Sequence, residues 1–406
     1  MSQIIPAELA APKKPDRLAA LDAYRGFVML AMASGGLGIA AIAKSKEMAD
    51  SWWWQQAARQ LEHVEWVGCS FWDLIQPSFM FMVGVSLAYS AASRTAQGQS
   101  YPLLLLHAVL RGAALVGLGV FLRSNGQPQT NFFFIDVTSQ IGLGYVFLFL
   151  LWGRPAAIQF AAALGILGCY WLLFARWPLP AEGFDYSTVG VKDSWKHLPG
   201  FAAHWDKNAN PAYYFDVWFM NLEIFHRPKP YVDCGGYATL NFIPSLATMI
   251  FGVLAGELLR GPRSGAEKMG MLVIAGLLGL AAGGLLDAAG ICPLVKRIWT
   301  PSWTLFAAGW TCLMLAGFYG VIDLAGWKAW SFPLVVVGMN SIAIYCMTYL
   351  TKGFIQGSLK THLGKDLFSF WGYAPLYEAL IQSVVTLLIY WIICYWMYRR
   401  KLFLKL

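Results

Sequence analysis

The feature that most limits how this chain can fold is a series of ten apolar segments, at about 21–43, 72–93, 102–122, 138–152, 156–175, 239–259, 269–288, 302–322, 331–351 and 375–398. Most are long enough to cross roughly 30 Å of hydrocarbon as a helix, which takes about 20 residues at about 1.5 Å each. Lipid offers no water to backbone N–H and C=O groups, so each spanning segment must satisfy them internally. The expected fold class is therefore all-α: a polytopic membrane helix bundle of about ten transmembrane helices. Composition agrees, because 406 residues that are 58% hydrophobic and 13% charged carry too little polar surface to coat a soluble globule. The 138–152 run is short, and the sequence leaves it open to be tilted, extended backward through Phe132–Ile135, or re-entrant.

A formal charge of +8 does not point to nucleic acid, since the Lys and Arg residues form no basic stripe interleaved with stacking aromatics. Topology explains them better. With the N-terminus inside, the inner face receives Lys13, Lys14, Arg17, Arg94, Arg154, Arg260, Arg263, Lys268, Lys328 and Arg399-Arg400-Lys401, although the loops opposite also hold Lys296 and Arg297. Both termini are thus expected to be cytoplasmic, residues 1–20 forming a leader, 21–398 the membrane domain and 399–406 a tail. Ala41-Ile42-Ala43 loosely resembles a cleavage site, but the first apolar segment is too long for a signal peptide and contains Ser34-Gly35-Gly36, so it reads as a retained helix. The long loop at 176–238 is rich in Trp, Tyr, Pro, His and Asp, a composition of a folded extracytoplasmic cap rather than a linker. Such a cap either covers a polar ligand or packs on the membrane interface. Seven cysteines show no CxxC and no Cys/His zinc spacing, so neither a disulfide framework nor a metal is expected; Cys69, Cys234 and Cys292 fall in loops.

Chemistry concentrates between His63 and Ser90. His63 precedes Trp66 and Gly68, and Asp73 stands at the lip of the second apolar run. An imidazole titrates near neutral pH and can take a proton or an acyl group. A carboxylate at a helix N-terminus caps free N–H groups, and the same carboxylate can fix an imidazole tautomer. Asp22, Arg25, His107 and Arg111 lie in the inner halves of the first and third segments, where a buried arginine demands either an ion-pair partner such as Asp22 or a phosphate-bearing ligand. Gln140, Asn241, Lys296 and Trp299 fall at segment ends on the other side, and Asn340 lies deeper in the ninth segment; singly they read as caps or interhelical bonds, together as the lining of a polar pocket. Gly252-x-x-x-Gly256 suits close helix packing, either within one bundle or in a homodimer. No GxSxG, HExxH or P-loop is present.

Leu21-Asp22-Ala23-Tyr24-Arg25-Gly26 resembles the LDxxRG opening of the heparan-α-glucosaminide N-acetyltransferase family and its bacterial relatives. The spacing His63, Trp66, Gly68, Asp73, Leu74, Pro77, Phe79, Phe81, Gly84 resembles that family's HxxWxG…DLxxPxFxFxxG run, and 241–256, 296–302 and 338–345 resemble later blocks in the same order. The resemblance implies a bacterial inner-membrane enzyme that moves acetyl from cytoplasmic acetyl-CoA to the amine of a glucosamine-type sugar across the membrane. It implies His63 and Asp73 as the catalytic pair; by their own chemistry and position, Arg25, Arg111, Gln140 and Lys296 are the candidates for acetyl-CoA and Trp66, Asn241, Trp299 and Asn340 those for the sugar. The sequence departs from the pattern at Ser34-Gly35-Gly36, where the family often has Asn, and at Ile141, where it has Arg. The animal enzyme's extra luminal domain and leading helix have no counterpart in the pattern. The competing reading is a transporter for amino sugars, which would show paired halves with broken helices at the midplane; no such symmetry is legible in the sequence.

Overall fold

Several apolar segments become helix where a polar side chain or proline starts them. In the computed structural model, which describes residues 18–404 except 228 and 234, Asp136 accepts from the Ser139 N–H and so begins the helix Val137–Leu151. Ser264 and Glu267 form a capping box ahead of Gly265–Ala288, and Thr300 with Pro301 opens Pro301–Phe318. Lys13, Lys14, Arg17 and Cys234 lie outside the described residues.

The helices are α1 Ala19–Ser34, α2 Ile39–Ala43, α3 Trp52–Leu61, α4 Ile75–Ala96, α5 Tyr101–Ser124, α6 Val137–Leu151, α7 Ala156–Ala175, α8 Pro211–Met220, α9 Phe242–Arg260, α10 Gly265–Ala288, α11 Pro301–Phe318, α12 Phe332–Gly338, α13 Ser341–Leu363 and α14 Glu378–Arg399. Among the described residues there is no β-strand beyond one isolated bridge. Eight helical segments are long and apolar enough to cross a membrane, and α12 with α13, bent by 64°, supplies a ninth if counted as one span. The protein is an all-α, multi-pass membrane bundle.

The short fourth segment, α6, has 15 residues, or roughly 22 Å at about 1.5 Å each. The backward extension through Phe132–Ile135 does not occur, because those residues are non-helical and the Asp136 cap ends the helix there. The helix is nonetheless enclosed, with Thr138, Ser139, Gln140 and Tyr145 buried.

Helices α4 and α9 form the centre. A Cβ on Gly252 would lie 2.0 Å from the Phe81 carbonyl oxygen, and one on Gly84 1.9 Å from that of Met249. Gly256 likewise faces Val85 and Ala88, so Gly252-x-x-x-Gly256 is spent inside one bundle, not on a second copy. The flanks stay apolar and exposed, as with Leu277, Leu278 and Leu285 of α10 and Leu388 and Ile392 of α14, which is the surface a bilayer covers.

The 176–238 loop is folded. Trp205, Asp206, Asn208 and Asn210 are buried, the Asn208 side chain donates to the Val189 carbonyl and that of Asn210 to the Asp206 carbonyl. Phe174 of α7 stacks on Trp205 with ring centroids 6.3 Å apart, joining this cap to the bundle.

Candidate active site

The residues between α3 and α4 cannot continue a helix: Glu62 is extended and Gly68 adopts φ 119°, a conformation that favours glycine. Asp73 organises the turn that leads into α4. It is 1% exposed, and its Oδ2 accepts from Ser70 N (3.1 Å), Ser70 Oγ (2.9 Å) and Val64 N (3.2 Å), completing a capping box at the mouth of that helix. The other oxygen, Oδ1, lies 2.7 Å from His63 Nδ1. With Nδ1–H donated to this carboxylate, the lone pair of His63 is on Nε2. The His63 side chain is 40% exposed, so the pair is half buried and half open.

A third group completes the arrangement. Lys296 Nζ is 3.2 Å from Asp73 Oδ1 and 3.0 Å from His63 Nδ1. It arrives because Val67 and Val295 form an antiparallel bridge and Gly68 N donates to the Leu294 carbonyl at 2.9 Å. The turn that carries it is tightly tied: Trp299 N donates to Lys296 O, Val295 N to Thr300 Oγ1, Asn241 Nδ2 to Arg297 O, and Tyr170 OH to Ile298 O. Trp299, buried, sits at φ 47°, which is strained for a bulky residue. Burial pushes Lys296 down to about 8, while the Asp73 carboxylate pulls the other way. Cys69, alongside, is pushed up to about 12, chiefly by burial and further by Asp73, which makes it a poor nucleophile at neutral pH.

Asn241 and Trp299 lie on or against the Lys296 turn, and Gln140 adjoins them, its Nε2 donating to Thr239 O and Phe134 O. Gln140 Oε1, Asn241 Oδ1 and Trp299 Nε1 are buried with no hydrogen-bond partner in the protein. Such atoms are costly unless a ligand or water meets them. Trp66 is buried between loop and cap, its Nε1 donating to Trp205 O at 3.0 Å and its ring edge-on to Trp195.

Three of the residues singled out in the sequence lie elsewhere. Arg25 hydrogen-bonds Ser86 and sits 3.5 Å from Asp22. The Arg111 guanidinium lies over the Tyr145 ring at 4.9 Å, with Nε buried and unpartnered. Asn340, at the α12–α13 break, accepts from Leu404 N beyond the last helix. Sequence reading did not foresee that Ser70 grips Asp73 or that Lys296 joins the dyad. The first had a signal, a Ser three residues ahead of the helix-opening Asp; the second spans 233 positions and had none.

What fold and site define is a multi-pass α-helical membrane protein with a half-open histidine held by a buried carboxylate and lysine. No protein-family model matches the chain. It is similar to heparan-alpha-glucosaminide N-acetyltransferase of Homo sapiens, 22% identical over 431 aligned residues that cover 97% of this chain and 60% of that protein. The Mus musculus protein of the same name is 22% identical over 459 aligned residues, covering 100% of this chain and 65% of that one. The chain is thus distantly related to these acetyltransferases and spans less than two thirds of their length.

Proposed function

We propose that this chain is a membrane acetyltransferase that moves acetyl from acetyl-CoA, as donor substrate, to the amine of a glucosamine-type sugar, with the chemistry at His63. The observation that carries the reading is the 2.7 Å contact of His63 Nδ1 with a buried Asp73, which leaves Nε2 as the basic atom on a half-exposed ring. A neutral amine attacks the thioester carbonyl while Nε2 takes its proton; the N–C bond forms, the C–S bond breaks, and the coenzyme thiolate takes that proton back from the imidazolium. In the other order, Nε2 attacks first, carries the acetyl group, and yields it to the amine. Both routes use the same lone pair.

The remaining groups suit two polar substrates. Gln140 and Asn241 have their amide N–H groups engaged, so their free oxygens accept N–H or O–H groups of a ligand. One unused donor for a developing oxyanion is Trp299 Nε1, worth roughly a few kcal/mol if aimed at it. Arg111, half-buried on α5, keeps a buried Nε donor without a protein partner that an anionic donor substrate could take.

Radiolabelled acetyl-CoA and glucosamine, incubated with purified protein, test the reading. Transfer by wild type and a loss of at least about 100-fold in folded His63→Ala are expected. A wild type that neither transfers acetyl nor binds acetyl-CoA would sink it.

A second reading, transport of amino-sugar solutes, is favoured by one observation. The first span is interrupted at Gly35–Gly38, where four successive residues have positive φ, and it packs on the ninth, also broken. Glucosamine uptake by proteoliposomes that is independent of acetyl-CoA is the result that would favour it.

A further inference from the structure

We propose that Lys296 is a positioning residue for His63: its buried ammonium neutralises Asp73, so that the carboxylate orients the imidazole without drawing a second proton onto it. The inference deepens the acetyltransferase reading and rests on it for the meaning of activity, though not for its direct readout.

The argument is a charge count within one hydrogen-bonded cluster. A histidine paired with a buried carboxylate alone gains by protonation, because the imidazolium and carboxylate then cancel. Such a histidine is well oriented but holds a proton more tightly, and the fraction that is charged neither takes a proton nor attacks a thioester. Here the carboxylate is already balanced. Lys296 Nζ lies 3.2 Å from Asp73 Oδ1, and Lys296 and Asp73 are 4% and 1% exposed. An imidazolium at His63 would place a second positive charge 3.0 Å from that ammonium. The groups facing Lys296 are Asp73 at the mouth of α4, His63 and Cys69 from the loop before it, and Arg297 of its own turn. Only Asp73 among them is anionic at neutral pH, since the Cys69 thiol is held protonated by burial. With Nδ1–H turned to Oδ1, the ammonium donates to that same oxygen and stands beside Nδ1 as a second donor, not as its hydrogen-bond partner.

The position is built rather than incidental. The Val67–Val295 bridge and the Gly68 N–H to Leu294 carbonyl bond fix the lysine turn against the histidine loop, and the turn's carbonyls at 296, 297 and 298 are all taken. A lysine held only for bundle stability would not need to reach the one carboxylate oxygen that the histidine uses.

The test is an NMR titration of the full chain in detergent with ring-labelled histidine, His63 being assigned by its disappearance in His63→Gln. Lys296→Met is expected to raise the apparent pKa of His63 by roughly one to two units. The acid limb of the pH–rate profile for acetyl transfer should move up by the same amount. Lys296→Arg keeps the charge and should leave the His63 midpoint within about half a unit, whatever it does to the rate. Asp73→Asn with Lys296→Met removes both charges and should return the midpoint toward the wild-type value. If Lys296→Met does not fold, this double variant and Lys296→Arg carry the comparison. An unmoved His63 midpoint in folded Lys296→Met, or one raised as far in Lys296→Arg or in the double variant, overturns the inference. The NMR shift without any acetyl transfer by wild type would overturn the acetyltransferase reading and leave the charge balance standing.

Discussion

Asp73 answers two demands with two oxygens. Oδ2 closes the capping box with Ser70, and Oδ1 holds His63 and Lys296. Ser70 is the N-cap and Asp73 the third helical residue of that box, where an asparagine oxygen can still accept from the Ser70 N–H. Asp73→Asn therefore keeps the turn but leaves the buried Lys296 ammonium without its anion, so it is expected to fold with a lowered melting temperature, and its amide can turn an N–H toward Nδ1 and select the wrong tautomer. Acetyl transfer should fall by roughly 100- to 10,000-fold while circular dichroism and detergent solubility hold; equal transfer by variant and wild type would deny the tautomer role. His63 and Asp73 were legible in the sequence because ten residues separate them and a helix start is a local signal. Lys296 was legible as a polar residue at a helix end, but its partner was not: the contact depends on a single antiparallel bridge between distant loops, which no periodicity announces.

At the scale of elements, all ten apolar segments reappear as helical elements because their hydropathy is nearly continuous and lipid leaves the backbone few alternatives. Their interruptions were less legible. The α12–α13 bend falls at Met339 and Asn340, neither of which is a strong helix breaker, whereas the break after α1 was foreshadowed by Gly35-Gly36. Gly252-x-x-x-Gly256 could be read as a packing stripe but not assigned a partner, since a small-residue face fits any neighbouring backbone. With its Cβ position 2.0 Å from a carbonyl of α4, Gly252→Val must force α4 and α9 apart. A loss of roughly 1–3 kcal/mol is expected, read as a lowered melting temperature in detergent. Gly117→Val is the control, because nothing lies within 4 Å of that position. Equal melting temperatures for the two variants would show that α4 and α9 do not pack this closely.

For the molecule as a whole, cap and bundle meet at groups that are costly to bury, and this couples the site's surroundings to pH. Asp216 of α8 is fully buried; its Oδ2 accepts from Thr239 N at the approach to α9, while Oδ1 has no partner. Burial pushes its carboxyl up to about 6 from an ordinary 3.8, and the Thr239 bond only partly opposes this. Between about pH 4 and 6 the folded chain keeps a proton that the unfolded chain has released. The stability this group contributes is thus complete below about pH 4 and is lost as pH rises to about 6, by up to about 3 kcal/mol above it. Asp216→Asn retains an acceptor for Thr239 N and removes the titration. The variant is expected to melt higher than wild type at about pH 7.5 and to lose that advantage at about pH 4, measured by thermal unfolding in detergent. Parallel melting curves for the two proteins across that range would mean that Asp216 is hydrated, and that the joint between cap and bundle is open to water.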